Sequence, residues 1–428
     1  MTELSTSQYQ RERRRHLAGR HRSEKRFKAY CIAAVTTAIA VLMLLLSSII
    51  YTALPALTET TLRMELQLDE PAQGMFYTVE ELENVNWRRV VSNALYETFP
   101  EVTARREKRE LVAILSLGAT DAALAKFKAN AVRPGDVVSV DMPVSDDIDL
   151  VVKGVINRNL PESERIVSDR TISWLSVLEA ENRIERRLAL TLFTNGDSRE
   201  PEMAGIKGAL VGTLWTMLVT LAASLPIGIM AAIYLQELAP KNRFTDMIEV
   251  NISNLAAVPS IVFGLLGLAV FINFFHVPRS SPLVGGLVLA LMTLPTIIIA
   301  TRAALASVPP SIREAALGVG ASPLQVITHH VLPLAAPGIL TGTIIGLAQA
   351  AGETAPLLMV GMMAFIVDTP TDITSKATVL PAQIFMWANN PERAFLARTS
   401  AAILILLSFL LFMNGIAIYL RKKFERRW

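Results

Sequence analysis

The sequence predicts an all-α polytopic membrane protein of six transmembrane helices carrying a small α+β external domain. Three observations predict it. Of 428 residues, 52% are hydrophobic and 18% charged, whereas soluble domains carry about 25% charge. Charge-free runs of membrane-spanning length recur along the chain. The charges are also divided unevenly: residues 52–207 hold 26 Asp/Glu against 19 Lys/Arg, and the remainder holds 12 against 22. The formal net charge of +3 therefore sums two unlike environments. One Cys excludes a disulfide scaffold, and the apolar content excludes a disordered chain.

A bilayer core takes about 20 apolar residues in a helix. Ala29–Tyr51 contains no charge, exceeds the apolar core of a signal peptide and lacks a small-residue cleavage site, so it reads as a retained first span. Cys31 within it reads as a small buried hydrophobe. Further charge-free runs are Gly208–Gln236, Val250–Pro278, Ser280–Thr301, Ala315–Gly352 and Thr399–Leu420. The fifth is too long for one span and carries Pro323, Pro333 and Pro337, so its membrane helix is placed at Ala336–Met359.

Orientation follows from basic flanks. Arg11, Arg13, Arg14, Arg15, Arg20, Arg22, Lys25, Arg26 and Lys28 precede the first span; Arg421, Lys422, Lys423, Arg426 and Arg427 follow the last. Both ends read as cytoplasmic, which six spans satisfy. A nucleic-acid-binding arm is the weaker reading of the basic N-terminus, since topology is sufficient cause. The division is then a cytoplasmic segment 1–28, a first span 29–51, a periplasmic domain 52–207, a five-helix core 208–420 with a cytoplasmic loop at 306–334, and a tail 421–428.

The external segment is too long and polar for a connecting loop. Trp87–Phe99, Arg105–Leu117 and Ile172–Phe193 read as helical, Val137–Val140 and Leu150–Val152 as strand-like. Its charges read as a solvated face. No phosphate-cradling G-x-x-x-x-G-K-[ST], no H-E-x-x-H and no G-x-S-x-G occurs, so the chain reads as non-catalytic and as binding no cofactor of its own. His329 and His330 are neighbours that point to different helix faces, which suits a structural role better than a metal.

The informative stretch is VPPSIREAALGVGASPLQVITHHVLPLAAPGIL, Val308–Leu340. It reads as two short helices about a tight turn. Ser311 with Glu314 forms one candidate capping box, and Ser322 with Pro323 and Gln325 forms a second. Ala315 and Ala316 leave a smooth face, Gly320 permits a sharp turn, and the second helix is expected to end before Pro333. On these grounds a docking element and a hairpin that only seals the bundle are equally good readings.

The stretch resembles the EAA loop of bacterial ABC importer permeases, EAA-x3-G-x9-I-x-LP. Glu314, Ala315, Ala316, Gly320, Leu332 and Pro333 stand at that spacing, and His330 occupies the Ile position. The resemblance implies that these six residues dock a separate ATPase. It extends over Gly208–Arg421 and is nearest to the PstA-type phosphate permeases in Pro226–Glu237 (PIGIMAAIYLQE), Ala257–Gly267 (AVPSIVFGLLG) and Ala351–Leu358 (AGETAPLL). It implies a PstB-type ATPase dimer carrying ATP and Mg, a PstC-type second permease, a periplasmic phosphate-binding protein and the lipid of a bacterial inner membrane. Nucleic acid is not among the implied partners.

Glu353 is an ionisable group in a largely apolar run, where a charge costs about 2.5–3.5 kcal/mol unless it faces a cavity or partner. The bland reading is a wetted carboxylate near the external interface. Gln349 lies one turn earlier, where related sequences carry Arg, and supplies no charge. Gln349, Glu353 and Thr354 are the translocation-path candidates. Gly338, Gly342 and Gly346 read as a packing ridge. Asn251, Ser253 and Asn254 are expected to open the third span, as caps or as pathway residues. Import of another oxyanion, such as molybdate or sulfate, is the nearest rival. A membrane sensor with a periplasmic domain is the rival of a different class, and a secondary transporter lacks the paired broken helices it would need.

Overall fold

The computed structural model describes residues 6–68, 76–130 and 132–424. Arg426 and Arg427 of the basic tail lie outside the described residues. Contacts divide the chain into two compact units, Met1–Thr52 and Ala53–Trp428.

The described residues of the first unit lie in one helix, α1 (Thr6–Ala53), which contains the expected span. Its apolar stretch has no preferred side, so most of its side chains stand outward, as a lipid-facing helix requires. Cys31 is exposed among them, which corrects its reading as buried.

In the second unit, strand β1 (Thr58–Gln67) lies between β2 (Val137–Pro143) and β3 (Ile184–Leu188), antiparallel to both. Met64 pairs with Val140, and Thr60 with Arg186. Leu62, Met64 and Leu66 alternate inward along β1 and are buried. Helices α2 (Val79–Asn84), α3 (Trp87–Thr98), α4 (Arg105–Val112) and α5 (Ala119–Ala129) cover that face. Helices α6 (Asp146–Val152), α7 (Asp169–Ala180) and the single turn α8 (Thr191–Thr194) complete the domain.

Three expectations change here. Leu150–Val152 is the last turn of α6 and not a strand, because Asp146 and Asp147 place negative charge on that helix's first turn. The expected helix Ile172–Phe193 divides into α7, β3 and α8, since Asn182 turns the chain back with φ +55°. The helix expected to reach Leu117 stops at Val112.

The membrane core begins with α9 (Lys207–Ile233) and its π-helical extension Tyr234–Leu238. The third expected span is not one helix. It is the pair α10 (Arg243–Leu255) and α11 (Ser260–Gly267), the latter continued to Phe274 by a π-helical segment, and the pair bends by 102°. Pro259 sets the break: it donates no amide and holds Val258 out of the helical region. Asn251, Ser253 and Asn254 therefore lie late in α10. Asn251 and Ser253 bond back to Met247 O at 2.7 Å and Glu249 O at 3.1 Å, so neither caps a helix.

Helix α12 (Pro282–Ala306) is the most enclosed span. A short α13 (Pro310–Gly318) and α14 (Pro323–Gln325) form the hairpin. Through the π-helical turn Val326–Val331, α14 continues into α15 (Leu332–Gly352). After α16 (Ala355–Met359) and α17 (Leu380–Ala388), α18 (Ala394–Phe424) is the final span. Among the described residues five helices thus have the length and hydropathy to cross a bilayer, and the bent pair makes six if counted as one span.

The glycine ridge of α15 packs on α12. A Cβ on Gly342 would stand 2.2 Å from Ala300 Cβ, and one on Gly338 2.6 Å from Ala304 Cβ. The backbones approach as closely as small residues allow.

The external domain is rooted where α9 and α18 begin. Lys153 at the end of α6 donates to Pro55 O at 2.6 Å and Thr58 O at 2.5 Å and pairs with Asp149. Buried Arg398 donates to Ala204 O at 3.2 Å and Glu202 O at 3.0 Å. The Glu202 carboxylate is left with a buried oxygen lacking a partner, and burial pushes its pKa up to about 7. An acid with a raised folded-state pKa binds more protons folded than unfolded. The resulting stability is full below about pH 4.5 and is lost as pH rises towards 7. Glu202→Gln removes the charged form, so its gain in thermal midpoint over the parent should be larger at pH 8 than at pH 5. Equal gains by differential scanning fluorimetry in detergent would exclude this origin.

Candidate docking hairpin and membrane path

The hairpin is built from capping chemistry. Helix α13 begins at Pro310 behind Pro309, so Ser311 sits inside its first turn and no side-chain cap forms with Glu314. Proline sets the start instead, with a fixed φ and no amide to satisfy. The far end closes as a Schellman motif: Ala321 N–H reaches Ala316 O at 3.1 Å and Gly320 N–H reaches Leu317 O at 2.9 Å. Gly320 holds φ +91°, where a side chain is strained. The second capping box forms as expected, with Ser322 N–H to Gln325 Oε1 at 2.8 Å and Gln325 N–H to Ser322 Oγ at 3.3 Å.

The six EAA-pattern residues do not share one surface. Ala316 is buried against Val326, Val331 and Ala335 in the hairpin's own small core. Glu314, Ala315 and Gly320 are exposed, and Leu332 and Pro333 are half-buried at the start of α15. The hairpin also turns apolar side chains outward: Val319 is 84% exposed, Leu324 65% and Leu317 51%. Three large apolar groups on one polar-rimmed turn form a patch suited to a partner.

The second helix does not end before Pro333. Leu332 N–H bonds to Ile327 O, five residues back, and the widened turn carries the chain past the missing amide of Pro333. The result is one helix of 30 residues, Pro323–Gly352. At about 1.5 Å per residue it is a rod of about 45 Å joining the hairpin to the candidate path. His329 in the π-turn directs Nδ1 to Gln325 O at 3.3 Å, and His330 is exposed.

At the rod's other end the helix stops. Glu353 has extended backbone (ψ 129°), half-buried, and Pro356 opens α16 two residues beyond Thr354. Gln349 and Glu353 are thus not successive positions on a helix through Met359: Gln349 is exposed on α15, while Glu353 and Thr354 lie in the break. Backbone groups at such a break need a wet cavity or protein around them. Helix α16 packs against α11, where a Cβ on Gly264 would fall 2.7 Å from Pro356 Cα.

Arg313 and Glu237 escaped the sequence reading. Arg313 makes a bidentate pair with Glu237 at the end of α9, Nη2–Oε1 2.6 Å and Nε–Oε2 3.1 Å. It also donates to Val308 O at 2.7 Å and Leu305 O at 2.9 Å. Both side chains are mostly shielded, and a partly desolvated fork of this kind is strong and directional. It fastens α13 to α9. A second pair, Arg302–Glu249 at 2.6 Å, ties α12 to α10.

A multi-span helical core with an anchored, outward-facing hairpin has the build of a membrane transport subunit. Residues 224–426 match the family described as binding-protein-dependent transport system inner membrane component, and residues 14–162 match a domain of unknown function, DUF3333. The probable ABC transporter permease protein YqgI of Bacillus subtilis is 29% identical over 51% of this chain and 79% of its own length. The phosphate transport system permease protein PstA of Yersinia pestis is 32% identical over 55% of this chain and 80% of its own. A solved methionine ABC transporter in an inward-facing conformation aligns with a TM-score of 0.42 at 18% identity, covering 51% of this chain and 97% of that one. The chain belongs to the binding-protein-dependent ABC importer permeases, and within them it is PstA-like.

If the Arg313–Glu237 fork holds the hairpin, removing either member leaves the other partly buried and unpaired, at a cost of about 3 kcal/mol. Arg313→Ala and Glu237→Ala should each lower the thermal midpoint, while the double variant loses no more than the worse single one. Additive losses in that double-mutant cycle would show that the two side chains do not act together.

Proposed function

We propose that this chain is one of two permease subunits of an ATP-driven phosphate importer in a bacterial inner membrane, with both termini cytoplasmic. A periplasmic binding protein delivers phosphate, and a PstC-type permease completes the passage. A PstB-type ATPase dimer, carrying ATP and Mg, docks on the hairpin. The observation that carries this reading is the hairpin itself: an exposed apolar patch set by a Schellman turn, anchored to α9 by Arg313 and continuous with α15. Closure of the ATPase would load α13 and α14 together. One displaces α9 through the ion pair; the other moves the whole rod, and with it Gln349 and the break at Glu353 and Thr354.

The phosphate assignment is supported by the PstA relatives and by the AGETAPLL stretch, which forms the break. This chain brings no cation at Gln349, so attraction for the anion falls to Thr354, to backbone amides or to the second permease. Uptake of labelled phosphate into vesicles carrying the whole assembly tests the reading. Phosphate should accumulate with ATP, and excess molybdate or sulfate should leave the rate unchanged. Competition by either without phosphate accumulation overturns the substrate, and absence of ATP-dependent flux overturns the importer in favour of a sensor. Gly320→Asp should reduce co-purification of the ATPase at least tenfold, because the Schellman turn cannot form without strain; unchanged co-purification would remove the docking role from the hairpin.

A further inference from the structure

The external domain carries a pocket that transport through the core does not use. It lies between α3, α4 and the start of α5 and encloses about 530 Å3. That is within the roughly 300–1,000 Å3 of sites that enclose small organic molecules. Arg88, Ser92 and Tyr96 follow one another at single-turn spacing along α3, so they present one polar face. Helix α4 adds Lys108 and Arg109, and Lys108 Nζ stands 4.7 Å from the Tyr96 ring centre. Buried Val91 and Leu115 give it an apolar floor. No Asp or Glu lines it.

The pocket gathers cations in one place without a carboxylate among them. Several other cations of the domain are matched to carboxylates: Arg63 with Asp141 and Glu185, Arg158 with Glu179, Arg170 with Glu107, Lys128 with Glu83. Among the described residues no carboxylate pairs with Arg88, Lys108 or Arg109. Three uncompensated cations are thus gathered in a domain where acids outnumber bases by 26 to 19. Their mutual repulsion is relieved by an anion of more than one charge, and the arginine fork fits phosphoryl oxygens.

We infer that this pocket binds a small organic phosphate monoester, its phosphoryl group held by Arg88, Lys108 and Arg109 and its carbon body laid on Val91 and Leu115. Isothermal titration of the full chain in lipid nanodiscs tests it, with glycerol 3-phosphate, glucose 6-phosphate, inorganic phosphate and hexaglutamate as separate probes. One of the two esters should bind saturably and more tightly than inorganic phosphate. Arg88→Ala combined with Arg109→Ala should weaken it at least tenfold. Both side chains are exposed, so the fold should survive their loss, checked by an unchanged thermal midpoint. Arg106→Ala should leave binding unchanged, since Arg106 faces Glu110 outside the pocket. No saturation by either ester, or an affinity unmoved in the double variant, overturns the site. Tighter binding of hexaglutamate overturns the ligand class in favour of an acidic protein segment, and tighter binding of inorganic phosphate overturns the organic body. None of these readings depends on ATP-driven uptake.

Discussion

Inside a bilayer every backbone amide must be bonded within the protein, and most of this structure follows from that constraint. Regular helix is the default, so each departure from it needs a local cause. The departures are few: the bend at Pro259, the π-helical turns at Tyr234–Leu238, Leu268–Phe274 and Val326–Val331, and the interruption at Glu353. Three of them coincide with other features of the fold. One turn ends at the Glu237 anchor, another lies between hairpin and rod, and the interruption holds the path candidates.

The hairpin combines two kinds of rigidity. Its outer turn is fixed by backbone geometry, through the Schellman closure at Gly320 and the capping box at Ser322. Its inner side is fixed by a small apolar core and by one guanidinium with four acceptor contacts. What remains free is a short apolar ridge of Leu317, Val319 and Leu324. The turn and the anchor thus hold the ridge from two sides.

Legibility in the sequence tracked the range of the interactions. Charge-free runs located the spans, and Gly320, Ser322 and Gln325 located the hairpin, because those signals lie within a few residues of what they specify. The partnership of Arg313 with Glu237 spans 76 positions and leaves no local trace. Strand β1 carries a local signal of its own, the alternation of Leu62, Met64 and Leu66 with Arg63, Glu65 and Gln67. The continuous rod was hidden by Pro333, which in a regular α-helix marks an end and here follows a π-turn. Arg88, Lys108 and Arg109 looked like a solvated face, since only the packing of α3 on α4 brings them to one cavity.

The external domain is not a bead on a tether. Lys153 and Arg398 bind main-chain carbonyls at its base, and Trp387 of α17 donates to Asp197 at 3.0 Å just ahead of α9. Grips of this kind tie the domain's base to main chain at the start of the core. Whatever steadies the domain therefore does work on the first turns of two membrane helices. By thermodynamic reciprocity, if a ligand held by the domain shifts the core between its states, the core's change of state alters the domain's affinity for that ligand by the same factor.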